Sequence, residues 1–176
     1  PDEKQSIIES AAHYYGEFLT ALGVDWENDP NSNNTPKRVA KAYVNDLWAG
    51  RYEKAPDITA FPSDGYDGMV FEGGIPLTSM CSHHHQTIMG KVHVAYIPGK
   101  DSKVIGLSKL NRLVEHFGRR GAIQEQLTVA IHNCVQCRGG KHGGASMKTS
   151  KLTGAFKDDN ATRAEFYEFI KGYYNG

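Results

Sequence analysis

Two polar clusters set what this chain can fold into. Cys81-Ser82-His83-His84-His85 packs one thiol and three imidazoles into a single short stretch. It lies between the apolar-leaning Ile75-Pro76-Leu77-Thr78 and a run from Gln86 to Pro98 that reads as strand. Much further on, His132-Asn133-Cys134-Val135-Gln136-Cys137-Arg138 supplies another imidazole, two thiols and a cation. For a lone Cys or His, a buried thiol or a solvated ring is the ordinary explanation. Cys-x-x-His together with a separate His-x-Cys-x-x-Cys reads instead as metal ligation, and a fold that uses both clusters must bring them together. A catalytic zinc takes three protein ligands and leaves a fourth position to water. Cys81 and His84 supply two of these, and Cys134 or Cys137 a third. The alternative is a closed structural zinc on Cys81, His84, Cys134 and Cys137. It leaves His83 and His132 idle beside the metal, whereas an open site gives both rings acid–base work.

At 176 residues the chain suits one catalytic domain with a helical arm, divided here as arm and connection over 1–66 and domain over 67–176. Lys plus Arg and Asp plus Glu both count 20, so no global field favours nucleic acid or an acidic membrane, and an anionic ligand needs a local cluster. No run approaches the roughly 18 apolar residues that span a bilayer, and Pro1-Asp2-Glu3-Lys4-Gln5 does not read as a signal peptide. The 3 cysteines form no disulfide framework, which predicts a reduced cytoplasmic protein.

Helical periodicity predicts a first helix over 2–21, with Ile7, Ile8, Ala11, Tyr15, Phe18, Leu19 and Leu22 on its apolar face. Thr35 as cap and Pro36 at the first position open a second helix that runs to Ala49 and stops at Gly50. Residues 51–66 read as a surface connection. Strands follow at 69–71, 75–80 and 86–98, with Gly90 as a bulge or bend. Ser108 caps a helix over 109–117, and another starts near Ala122 with Ile123, Leu127 and Ile131 on one stripe. That helix runs directly into His132-Asn133-Cys134, leaving no room for a strand before the second cluster. Strand character returns over 145–152, and a last helix is capped by Asn160.

Gly106-Leu107-Ser108-Lys109-Leu110-Asn111-Arg112 combines a hydroxyl, the N–H groups of a helix start and two cations, a good cradle for phosphate. Alone it is as well explained as a capped helix with a wet basic face. Arg138, close to Cys134, tips the reading toward a polyphosphate. Gln124 and Glu125 open the next helix, where a carboxylate suits the dipole. Glu125 equally suits the paired N–H donors of a guanine edge.

These residues resemble type I GTP cyclohydrolase over most of the chain. The resemblance is carried by Thr35-Pro36-Lys37-Arg38-Val39-Ala40-Lys41, Met80-Cys81-Ser82-His83-His84, Val94-Ala95-Tyr96-Ile97-Pro98, Val104-Ile105-Gly106-Leu107-Ser108-Lys109, Gln124-Glu125-Gln126-Leu127, His132-Asn133-Cys134-Val135 with Arg138-Gly139, and Thr149-Ser150 through Phe156. It implies an α+β tunnelling fold, in which helices pack on one face of an antiparallel sheet beside an N-terminal helical arm. It further implies a homodecamer with active sites between subunits, and conversion of GTP and water to 7,8-dihydroneopterin triphosphate and formate. By position, Cys81, His84 and Cys134 correspond to zinc ligands whose hydroxide attacks C8. His132 corresponds to a proton donor, His83 to an acid–base group and Ser108 to a residue of the sugar rearrangement. Gln124 and Glu125 correspond to guanine readers, and Lys109, Arg112, Arg138 and Arg38 to a triphosphate clamp. Cys137 matches no ligand position.

Two departures from the family pattern stand out. Ser82 replaces the usual Glu, which changes the charge beside the metal but removes no ligand. The interval from Glu125 to His132 is also short of the family's helix, turn and strand by on the order of twenty residues, judged from ordinary element lengths. This predicts that a segment between about Ala130 and Asn133 is missing, and that a chain truly without it has a misassembled site. The alternatives are another tunnelling-fold enzyme, a nitrile reductase or a pyruvoyl-pterin synthase, or a zinc-stabilised module with no chemistry. The phosphate-directed Ser108, Lys109, Arg112 and Arg138 argue against the two enzymes.

Overall fold

The structure, a computed structural model, describes residues 3–99, 103–137, 140–146 and 150–173, with the side chains of 137 and 140–146 excepted. The chain divides into two compact units, 1–54 and 55–176.

The first unit is helical. Helix α1 (Glu3–Ala21) packs on α2 (Thr35–Ala42), which continues through a π-helical turn (Tyr43–Leu47) into the short α3 (Ala49–Tyr52). Thr35 is the first residue of α2 and not its cap; that position is Asn34. The helical path also passes through Gly50, where the sequence suggested a stop. Ile8, Ala40 and Val44 form the core of this unit, with Ile7, Ala12 and Tyr52 against it. Of the apolar face expected along α1, only Ile8 is fully buried, with Ile7, Tyr15 and Leu19 half-buried. Phe18 and Leu22 remain exposed, while Gly16 is covered by Trp26, whose indole lies 2.8 Å from where a Cβ would stand.

The second unit is built on an antiparallel sheet in the order β2-β3-β5-β6, formed by Val70–Met80, Thr87–Pro98, Gly140–Ser146 and Ser150–Leu152. A separate two-stranded ladder joins β1 (Ala60–Pro62) to β4 (Lys103–Ile105), so part of the expected surface connection is strand. The irregularity lies in β2, between Glu72 and Ile75, and not at Gly90, which pairs in register with Leu77. This bulge has a clear packing effect. Val70 and the pair Ile75 and Leu77 differ in parity, yet all three face the same core because the extra residue resets the alternation.

Helices α4 (Leu107–Gly118) and α5 (Gln124–Cys137) cover one face. Leu110, Leu113 and Val114 of α4 and Leu127, Ile131 and Val135 of α5 pack on Val92, Val94 and Tyr96 of β3. Alternate β3 residues, Ala95 and Ile97, meet Phe156 of α6 (Ala155–Asp158) and Phe166 and Ile170 of α7 (Asn160–Gly172). The fold is thus α+β with an antiparallel sheet and an N-terminal helical arm, as expected. The helices are not confined to one face: α4 and α5 form one layer, and α6 and α7 close the other side. Asp159, not Asn160, caps α7, its carboxylate accepting from the N–H groups of Ala161 and Thr162.

Candidate active site

The first cluster is the tip of the β2–β3 hairpin. The Cys81 N–H donates to the Gln86 carbonyl (2.9 Å), and the His85 N–H donates to the Cys81 carbonyl (3.0 Å). The turn closes because His85 adopts φ +53, a left-handed conformation that His accepts more readily than most side chains. His85, which had no role in the sequence reading, is the hinge of the tip. Cys81 is half-buried, while Ser82, His83 and His84 are exposed. The Cys81 Sγ lies 3.6 Å from His83 Nδ1, and the His83 and His84 ring centroids are 6.2 Å apart.

Two ties hold other site elements to this tip. The Ala122 N–H donates to the Met80 carbonyl (3.2 Å), which sets the start of α5, with half-buried Gln124 and exposed Glu125, beside the Cys81 turn. The buried Ser79 hydroxyl donates to the Gly118 carbonyl (2.8 Å), fixing the C-terminal end of α4 there as well. Gly118 is required by close approach, since a Cβ would stand 2.8 Å from Leu77 Cδ1 and 3.0 Å from the Thr78 carbonyl oxygen.

The phosphate cradle sits at the other end of α4. Gly106 is the N-cap residue, so Ser108 lies within the first turn and is not the cap. Ser108 and Arg112 are exposed and Lys109 half-buried. Behind this helix start, the fully buried Tyr96 hydroxyl accepts from the Ile105 N–H (2.6 Å) and donates to the Ile105 carbonyl (3.2 Å). Burial pushes the Tyr96 phenol above its ordinary value; the Ile105 bond opposes this and Tyr66 adds to it. Ser108 precedes Gly118 by ten residues of helix, or about 15 Å at the α-helical rise. The cradle and the Gly118 end that is tied to Ser79 thus lie at opposite ends of α4.

The second cluster is helical. His132 and Cys134 lie on α5, which runs unbroken from Gln124 to Cys137. The His132 ring is buried (1% exposed), with Nε2 3.1 Å from Thr153 Oγ1 and Nδ1 3.2 Å from Asn133 Oδ1. Half-buried Cys134 packs against the core cluster formed by α4, α5 and the sheet. Thr153 had drawn no attention in the sequence, and only the fold reveals its contact with His132. Among the described residues, no three His, Cys, Asp or Glu side chains are gathered as a metal would require. The expected donors Cys81, His84 and Cys134 are thus not brought together, and the described residues do not fit a catalytic zinc. Arg138 and the Cys137 side chain lie outside the described residues. Arg38 is exposed on α2 in the first unit. No helix among the described residues is long and apolar enough to cross a membrane.

Fold and hairpin tip together describe an α+β enzyme domain with a thiol–imidazole cluster at one end of a helix and a phosphate-type helix start at the other. Comparison with known proteins makes the assignment definite. The family pattern for GTP cyclohydrolase I matches residues 11–133 and 128–171. A protein of Shewanella oneidensis named GTP cyclohydrolase 1 is 39% identical over 188 residues, covering 94% of this chain and 84% of that protein. Those of the same name from Shewanella denitrificans and Shewanella loihica are 38% and 39% identical over 193 and 180 residues, covering 97% and 90% of this chain and 86% and 83% of theirs. The chain belongs to the GTP cyclohydrolase I family.

Proposed function

We propose that this chain opens the imidazole ring of GTP at C8 by hydrolysis, releasing C8 as formate and leaving 7,8-dihydroneopterin triphosphate. The observation that carries this reading is the family match across nearly the whole chain. In this reading Gln124 and Glu125 hold the guanine edge, since a carboxylate and an amide accept and donate in the pattern that edge presents. Lys109 and Arg112, with the N–H groups at the start of α4, hold the triphosphate, joined by Arg138 and Arg38. Ser108 serves the sugar rearrangement and His83 moves protons during it; His132, the proton donor by position, is buried against Thr153 here and is given no step.

Zinc is the metal that a thiolate and imidazole donor set would select. By position the resemblance puts its ligands at Cys81, His84 and Cys134; Cys134 lies against the core in this structure, and no step is assigned to the metal. The separation of the cradle from the hairpin tip along α4 supports a site completed by a second copy, and hence a homo-oligomer, proposed as a decamer. The reduced thiols suit the cytoplasm. The test is to incubate the zinc-loaded protein with GTP and assay formate together with pterin fluorescence. Both should appear in parallel; a protein that holds zinc through three ligands, binds GTP and yields neither refutes the proposal.

A further inference from the structure

We infer that this 176-residue chain lacks the segment that would carry His132 and Cys134 to the Cys81 hairpin tip, so that Cys134 is a core thiol here and not a metal donor. The inference rests on the GTP cyclohydrolase reading for the choice of metal and of the segment.

Two features of the comparisons point to a gap, and the first places it. Residues 128–133 are matched by both runs of the family pattern, once as the end of the first and once as the start of the second. That happens when the pattern between the two runs has no counterpart in the chain. The match to the Shewanella denitrificans protein extends over 193 residues, longer than the 176 of this chain, so the relative has internal residues that face nothing here.

The structure shows what the joined chain does instead. Thr128, Val129, Ile131 and Val135 are β-branched, the residue type that favours strands and lowers helix propensity, yet all lie within α5. They are kept helical because Leu127, Ile131 and Val135, spaced four apart, bury one stripe against the core. His132 is thereby engaged with Thr153 and Asn133, and Cys134 sits against the same apolar cluster. Moving Cys134 to the tip would require unwinding the turns that bury Ile131 and Val135. Among the described residues the expected ligands at the hairpin tip are Cys81 and His84, a half site where a catalytic zinc needs three.

The test measures metal binding in the full chain by competition with a chromophoric chelator, and counts thiolate ligands from the charge-transfer absorption of bound cobalt. Cys134→Ser should bind zinc as the unaltered chain does, and cobalt should report one thiolate. Cys81→Ser should weaken binding by roughly tenfold or more, since it removes a donor. A chain with the relative's extra segment inserted between residues 128 and 133 should bind more tightly, report two thiolates and become sensitive to Cys134→Ser. A two-thiolate spectrum in the unaltered chain, lost together with zinc in Cys134→Ser, overturns the inference whether or not the insertion variant folds. Formate assays separate this outcome from failure of the functional reading. An insertion variant that binds zinc through two thiolates but releases no formate refutes the reading and leaves the inference standing. Formate release from the unaltered chain that disappears with Cys134→Ser refutes the inference and leaves the reading standing.

Discussion

Tyr96→Phe isolates the contact that anchors the start of α4. The substitution removes one oxygen and no packing volume, so the cavity term that dominates most core truncations is close to nil. What is lost is a pair of hydrogen bonds to a residue that is itself 2% exposed, leaving the Ile105 N–H and carbonyl without their phenol partner where water does not replace it. Unsatisfied buried groups of this kind cost about 1–3 kcal/mol each, and the ladder to Ala60 limits the damage, so a loss of about 2–3 kcal/mol is expected. The assay is urea unfolding followed by far-ultraviolet circular dichroism. Both tryptophans, Trp26 and Trp48, lie in the first unit, and their fluorescence would report on the wrong half. The phenol gives a second readout. Its folded value is raised, so above the ordinary tyrosine value of about 10 the unfolded chain releases a proton that the folded chain still holds. Stability then falls as pH rises through that region, and Tyr96→Phe should flatten this alkaline limb. A loss below about 0.5 kcal/mol, with an unchanged alkaline limb, would refute the reasoning.

Gly118→Ala sets two effects against each other. Alanine gains up to about 1 kcal/mol of helix propensity, while a Cβ forced against Leu77 and the Thr78 carbonyl costs about 1–3 kcal/mol; a net destabilisation in urea melts is expected, and a stabilised variant would show that the neighbours move aside. Burial, with a smaller contribution from Lys91, holds the His93 imidazole below its ordinary value. The folded state therefore stays neutral while the unfolded chain takes up a proton, so stability present above about pH 6.5 is lost as pH falls; His93→Gln should show a shallower acid limb. Lys109→Ala should raise the KM for GTP by on the order of tenfold with a smaller effect on kcat, the expected result of removing a charged contact to phosphate made equally in ground and transition states. An equal fall in kcat at unchanged KM would move Lys109 from binding to chemistry.

Much of this arrangement was legible because local chemistry and tertiary packing agree. The apolar stripes of α4 and α5 and the long strand before Pro98 follow directly from periodicity, and the His-rich tip stood out because nothing apolar explains it. The caps were less legible. Asn34, Gly106 and Asp159 take the positions assigned to their neighbours Thr35, Ser108 and Asn160, a one- or two-residue slip that backbone geometry decides and side-chain type does not. The bulge went to the wrong glycine because Gly90 and the pair Gly73 and Gly74 are equivalent as letters. Only the latter pair lies where a strand must change which face it buries. The motif alone did not place Cys134, because a motif names the residue and the intervening chain length decides where it lies; the short interval from Glu125 to His132 carried that signal.

The bulge also bears on the order in which the protein is made. Had Gly73 a side chain, its Cβ would stand 2.4 Å from the ring of Tyr173, and a Cβ on Gly74, at φ +71, would stand 3.0 Å from the same ring. Phe71 and His93 pack around that ring as well. The β2–β3 hairpin is synthesised long before the tyrosine that seats on it. During translation at about 5–20 residues per second, its aromatic face stays uncovered for several seconds until the C-terminal helix emerges. A ribosome stalled before Tyr173 would hold a sheet whose patch around Phe71 and His93 is still uncovered.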